Sequence, residues 1–343
     1  MESKETDNRP KLSKRWNRLM QAIILVAAYG FIYHQVFSRH GNNQFTGLLR
    51  EFNTFGNEKI LAAIILVMML LNWGTEAAKW KFLIDRIEKV SFLLAVKAIL
   101  TGITISTFTP NRVGEFFGRA FILKKAHPVD AIILTIVGSM SQLLVTVIFG
   151  TTALIFLFPQ LASQSSNWPG FVLPGLVALS ILVNAGFLII YLNVSAIRPL
   201  ARYFLKKHWR KFYRYISVLS HIHPVVLGKV LLFSIIRYSI FFVQFYLALR
   251  LFGVRLSFPE AMMLLPVIYL TLAIVPTIAL TELGVRGSVA IYVISTYSLF
   301  IGSVSGDMAK AILYAATLVW MVNLAFPAVI GTFFVFNLRF IRR

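Results

Sequence analysis

Six stretches of this chain stay apolar over lengths that cross a lipid bilayer: Leu19–Phe37, Ile60–Trp80, Ala131–Phe158, Val172–Leu192, Val225–Leu249 and Ala311–Phe336. Roughly 18–20 such residues suffice for one crossing. No other feature restricts the fold more. In hydrocarbon every backbone N–H and C=O must be satisfied within the protein, and runs of this length achieve that as helices. The sequence therefore predicts an all-α, polytopic helical membrane protein with about six full spans. Hydrophobic residues make up 58% of the chain and charged residues 14%, against about 25% charged in soluble domains. A single transmembrane domain, 19–337, is expected between basic tails at 1–18 and 338–343, with no room for a second, soluble domain.

Lys and Arg number 34 against 13 Asp and Glu, a formal charge of +21. The basic residues lie in loops beside the spans, where membrane orientation and attraction to anionic lipid explain them, so no nucleic-acid partner is expected. Both termini and the stretch from Arg198 to Arg214 read as cytoplasmic, and the expected location is a bacterial inner membrane. From Leu205 to Leu219 apolar residues recur three and four apart, with Lys206, Lys207, Arg210, Lys211 and Arg214 on the other side. Residues 199–219 thus suit an amphipathic helix on the cytoplasmic leaflet, attracted to anionic lipids, although a purely topological role fits the same charges. There is no cysteine, and the histidines show neither metal spacing nor a Ser-His-Asp arrangement. No metal, cofactor or catalytic residue is expected.

Two short charged stretches interrupt the apolar pattern: TPNRVGEFFGR at 109–119 and VPTIALTELGVRG at 275–287. A charge at membrane depth costs roughly 2.5–3.5 kcal/mol on insertion scales. Two such clusters beside helix breakers point to a polar site in the bilayer. The segment around the first is basic at both ends, which suits a re-entrant hairpin from the cytoplasm. Charge bookkeeping puts both ends of the second outside, although Arg250 and Arg255 then lie on the outer face. Span, hairpin, span thus occurs at about 60–158 and again, upside down, at about 225–336. That is the pattern of an inverted repeat with two oppositely inserted hairpins, in which broken helices meet near the midplane. Ordinary pairs of full crossings remain the alternative.

The hairpin breaks are expected at Pro110, Gly114, Gly118, Pro276, Gly284 and Gly287. A helix N-terminus at a break offers free N–H groups to an anion, and Arg112, Arg119 and Arg286 add planar forks suited to phosphate. Glu115 and Glu282 are the only acids in the motifs. Each stands four residues before an arginine, so each is either an internal pair or a group that orients an arginine, binds a proton or reads a cationic head group; these readings are compatible. Arg237, halfway along its span, is expected to face the bundle interior and to meet Glu115 or Glu282. Lys97 is expected to snorkel, and Glu76 and Lys79 to form a local pair at the inner end of the second span.

TPNRVGEFFGRAFIL resembles the Pro-Gly-Arg-x-Gly-Glu-x-x-Arg segment of the lysylphosphatidylglycerol synthase transmembrane-region family, the flippase-like domain proteins. TELGVRGSVA resembles that family's later Gly-Gly-Leu-Gly-Val-Arg-Glu segment. The likeness carries Arg112, Gly114, Glu115 and Arg119 in the first, and Leu283, Gly284, Val285 and Arg286 in the second. Asn111 stands where the family often has glycine, and the second acid, Glu282, precedes its arginine instead of following it. The resemblance implies a membrane domain of the lipid-flippase type, here expected without the cytosolic aminoacyl-transferase domain of the fused members. Taken with the charge reading above, the expected substrate-binding residues are Arg112, Glu115, Arg119, Arg237, Glu282 and Arg286, acting on a phospholipid or lipid-linked partner. The same residues would suit a non-transporting accessory of a lipid-modifying enzyme, or a membrane-embedded head-group enzyme. The sequence leaves the oligomeric state open.

Overall fold

The structure, a computed structural model, describes residues 18–27, 58–163, 168–194, 222–275, 279–300 and 308–338, with a few isolated positions elsewhere. The described residues are helical throughout: α1 (Arg18–Ala27), α2 (Glu58–Ile84), α3 (Phe92–Ser106), α4 (Gly114–Phe121), α5 (Pro128–Ala162), α6 (Val172–Leu192), α7 (Pro224–Leu251), α8 (Phe258–Ile274), α9 (Ala279–Phe300), α10 (Met308–Trp320) and α11 (Phe326–Thr332). Among the described residues five spans are long and apolar enough to cross a bilayer: α2, α5, α6, α7 and the continuous stretch Met308–Thr332. Of the first expected span only α1 and its neighbourhood are described. The two tails and the helix expected at 199–219, apart from boundary residues, lie outside the described residues.

Local chemistry sets the helix starts. Ser91 caps α3 by accepting from the Leu94 N–H at 3.2 Å. His127 and His223 cap α5 and α7 through Nδ1, each followed by proline at the first helical position, where a missing N–H costs nothing. Ser257 and Glu260 form a reciprocal capping box on α8. In the last span Pro327 cannot donate to the carbonyl four residues earlier. A π turn, Met321–Ala325, occupies that place.

α3 and α8 are too short to span. Their 15 and 17 residues reach about 22 and 25 Å at 1.5 Å each, against a hydrocarbon core of about 30 Å. α3 turns back into α4, and the feet of this pair stand together. Glu88, ahead of α3, accepts from the N–H groups of Lys124, Lys125 and Ala126, beyond α4, at 3.1, 2.8 and 2.7 Å. Asp85 closes the same loop by accepting from the Val90 N–H at 2.9 Å. Burial opposes the Asp85 charge, but Lys81 and that N–H outweigh it and hold the carboxyl below its usual range. α8 and α9 are likewise tied near their feet, where the Tyr297 hydroxyl donates to Glu260 at 3.3 Å.

The turn of the first pair departs from the expectation that glycines would make it. After α3, a 3₁₀ turn over Pro110–Arg112 puts Asn111 at φ 49° and Arg112 at φ 57°. Asparagine tolerates this left-handed region better than most residues, which rationalises Asn111 at a position where glycine is common. The opened backbone is satisfied locally. Ser106 and Thr107 hydroxyls donate to the carbonyls of Ile103 and Thr104 at 2.8 and 2.7 Å. Thr109 accepts from the Gly114 N–H at 2.9 Å. Gly114 starts α4, but Gly118 lies inside it, and Gly284 and Gly287 lie inside α9, so these three mark no break. Pro276 lies outside the described residues. Gly118 serves close packing: a Cβ there would sit 2.7 Å from the Gly102 Cα on α3.

Among the described residues two large apolar cores form, one toward each end of α2, and a small third gathers Ile24, Ile105, Val335 and Leu338. One takes α2 from Ala62 to Trp73, the later part of α7 from Phe242, and much of α8 and α9. The other takes α2 from Ala77 to Ile84, the early part of α7 from Val226 to Val230, Ala95, Ala98, Ile99 and Ile103 of α3, and Ala120 of α4. Glu76 on α2 and Arg237 on α7 fall between the two. Outward faces remain apolar, as at Leu70, Leu71, Ile181 and Leu182, which is the surface lipid demands.

Gly118→Ala is expected to lower the melting temperature of the detergent-purified protein, by the equivalent of about 1–3 kcal/mol, because backbone opposes the new methyl group. Gly186→Ala in α6, where a Cβ meets nothing within 4 Å, should leave it level or slightly raised. Thermal unfolding of the two variants side by side checks the packing.

Candidate functional site

Eight charged side chains gather in the layer between the two cores. Glu76 is their hub. Its carboxylate meets Arg119 Nη1 at 2.7 Å, Lys79 Nζ at 2.8 Å and Arg237 Nη1 at 3.1 Å. Arg119 also bonds Glu115, four residues back in α4. The second group centres on Glu282. Its Oε1 accepts from Arg112 Nη2 at 2.9 Å, and from Arg286 through Nε at 3.0 Å and Nη2 at 2.9 Å. The Arg112–Glu282 bond joins the turn of the first helix pair to the start of α9.

Polar amides extend the cluster. Arg237 Nε donates to the Asn72 side-chain oxygen at 2.9 Å, and Asn72 donates to Asn323 at 2.6 Å. Asn323, in the π turn, donates to Gln244 at 2.7 Å, and Gln244 closes the chain on the Ile65 carbonyl at 3.0 Å. Lys79 Nζ donates to the Gly138 carbonyl at 3.2 Å. An irregular helical turn of this kind is tolerated at membrane depth where protein or a wet cavity satisfies it.

A cavity of about 370 Å³ opens beside these groups, and Glu76, Lys79, Arg112, Glu115, Arg119, Arg237 and Arg286 line it. The cluster divides by exposure. Lys79, Arg119, Glu76 and Glu282 retain 2–6% of their side-chain exposure, whereas Arg112, Arg286 and Arg237 retain 40, 28 and 21%. The first set is committed to internal pairing. The second presents guanidinium edges to the cavity. Five cations face three carboxylates, a formal excess of two positive charges.

All six residues singled out from the sequence meet here. Arg112, Glu115, Arg119, Arg237 and Arg286 line the cavity, and Glu282 is bonded to two of them. Both anticipated i, i+4 pairs form. The partner expected for Arg237 is corrected: it binds Glu76 and Asn72, not Glu115 or Glu282. Glu76 and Lys79 do pair, but the pair is buried at the centre of the cluster, and α2 continues to Ile84. Sequence reasoning missed this hub because an i, i+3 pair looks self-sufficient. The available signal was Arg237 itself, which has no acid within reach on its own helix. Lys97 lies apart, its ammonium over the Phe334 ring at 5.5 Å.

The fold and this buried charge cluster define a polytopic, multi-pass helical membrane protein with a polar centre. The family described as Lysylphosphatidylglycerol synthase TM region matches residues 19–339. The chain belongs to that family. No curated protein and no solved structure matches it.

Glu76→Ala strips the countercharge from Lys79, Arg119 and Arg237 together. Breaking a buried pair in this way costs about 3–5 kcal/mol, so the variant is expected to be poorly folded. Glu76→Ala combined with Arg237→Met removes one orphaned cation and should recover part of the loss. A double-mutant cycle on melting temperature measures the coupling; strict additivity would mean that the two side chains do not interact.

Proposed function

We propose that the protein is a lipid or lipid-linked-intermediate translocase that holds an anionic head group in the cavity between its two broken-helix pairs. The observation that carries this reading is the unbalanced charge of the cluster beside that cavity, five cations against three carboxylates, with Arg112, Arg286 and Arg237 still partly open. A partly buried positive excess favours an entering anion, and guanidinium forks suit phosphate oxygens. A volume of about 370 Å³ falls in the range of small-molecule sites, roughly 300–1,000 Å³. It accommodates a head group while the acyl chains stay in lipid.

The packing supports the transport geometry. The first helix pair belongs mostly to the core at the C-terminal end of α2, the second to that at its N-terminal end. Their tips touch through Arg112 and Glu282. In our reading these are the two oppositely inserted hairpins of an inverted repeat, rocking about a fixed midplane site. The Arg112–Glu282 bond closes the space between the tips, and an arriving phosphate competes for Arg112. Strain assists: Arg112 is held at φ 57°, a conformation that costs a non-glycine residue about 1–3 kcal/mol. In this reading Glu115 and Glu282 balance the arginines, no covalent chemistry is performed, and both termini face the cytoplasm of a bacterial inner membrane. Family membership supports a lipid-related role.

Arg112→Ala and Arg286→Ala are each expected to abolish lipid movement while leaving insertion and folding intact. Fluorescent-lipid flipping or scrambling by the purified protein in liposomes measures this. Full rates from both variants would remove the arginines from the pathway and the reading with them.

A further inference from the structure

Three arginines reach the cavity partly open, and they are held differently. Arg112 and Arg286 each bond one carboxylate, that of Glu282. Arg237 is bonded from two sides: Nη1 to Glu76 at 3.1 Å and Nε to the Asn72 oxygen at 2.9 Å. Its guanidinium also lies over the Phe241 ring, 5.2 Å from the centroid. These contacts fix the plane of the group. Its Nη2 has no partner among the described residues, and Arg237 lines the cavity.

Asn72 does not act alone. It donates to Asn323, Asn323 donates to Gln244, and Gln244 donates to the Ile65 carbonyl. An amide can present either end, but the two termini of this row decide which. An arginine can only donate and a carbonyl can only accept. Each amide must therefore turn its oxygen toward Arg237 and its nitrogen toward Ile65.

Asn72 and Gln244 are 1 and 0% exposed, and neither lines the cavity. The fold has little need of the row. α7 already packs directly on α2 and on α10, and replacing buried, mutually bonded polar groups by hydrocarbon of the same shape can be nearly neutral. What hydrocarbon cannot supply is an acceptor aimed at the Nε of Arg237.

The π turn sets the middle of the row. Asn323 lies within it, and a π turn holds one more residue than an α turn. Closing it to α would swing Asn323 about 100° relative to the helix that follows. That helix, α11, is anchored on α3. Thr104 Oγ1 donates to the Ala328 carbonyl at 2.8 Å, and a Cβ at Gly331 would collide with the Leu100 carbonyl. The turn thus keeps Asn323 between Asn72 and Gln244.

We propose that Asn72, Asn323 and Gln244 are positioning residues, whose head-to-tail row fixes the plane of Arg237 so that its free nitrogen serves an anion in the cavity. This rests on the anionic-head-group reading given above and adds the residues that orient one of its arginines.

Saturation binding of phosphatidic acid to the purified full chain, followed by native mass spectrometry, tests it, with the melting temperature read alongside. Asn72→Leu is expected to weaken binding about tenfold and Gln244→Leu about threefold. In an Arg237→Met background neither should weaken it further, because both act through that arginine. A role in folding alone would lower the melting temperature with affinity unchanged, or lower affinity equally in both backgrounds. Either result overturns the positioning role and leaves the anion site standing, as does failure of both variants to fold. If only Asn72→Leu fails to fold, Gln244→Leu decides. If Arg237→Met by itself binds phosphatidic acid as the wild type does, the row orients nothing that binds and the assignment falls. If the wild type shows no saturable binding, or Arg112→Ala binds unchanged, the anion reading is wrong and this assignment falls with it.

Discussion

A single carboxylate, that of Glu76, meets three cations at the centre of the bundle. Lys79 comes from the same helix, Arg119 from the short returning arm α4, and Arg237 from the middle of α7. None of these cations tolerates hydrocarbon alone, and the cost of an unpaired charge there exceeds most single packing terms. The three helices are therefore fixed in register by electrostatics as much as by packing. The apolar cores on either side exclude water and raise the strength of each pair.

The arrangement separates two tasks. Glu76, Lys79 and Arg119 are almost fully buried and hold the helices together, while Glu282, equally buried, pairs with Arg286 of its own helix. Arg112, Arg237 and Arg286 are bonded on one edge and open on another. The same guanidinium thus serves the fold through one or two nitrogens and keeps the remainder free, which lysine, a point charge, could not do equally well. The bond between Arg112 and Glu282 links the two helix pairs only at their tips. A contact of that kind can open without disturbing the buried hub, because the hub shares no residue with it.

Much of this was legible in the sequence, for identifiable reasons. The apolar runs declared the helices, and Thr109 to Arg119 and Val275 to Gly287 declared the polar centre because charge in lipid is too expensive to be incidental. Asn111 was read as a departure from a glycine, and its φ of 49° rationalises the substitution. The glycines were read less well. Gly118, Gly284 and Gly287 sit within helices, and at Gly118 the reason is the approach of Gly102, a contact with no trace in local sequence.

Sequence alone determined the helical, membrane-spanning class and the presence of paired charges within it. Hydropathy, helix breakers and i, i+4 spacing are local properties, and lipid penalises every alternative to satisfying them within a helix. Tertiary structure alone decided that Glu76 is the hub, that Arg237 reaches it and Asn72, and that the Glu282 pair meets the first turn through Arg112. Those partners lie as many as 170 residues apart, and Coulombic attraction depends on distance in space, which helix packing sets and a linear pattern does not encode.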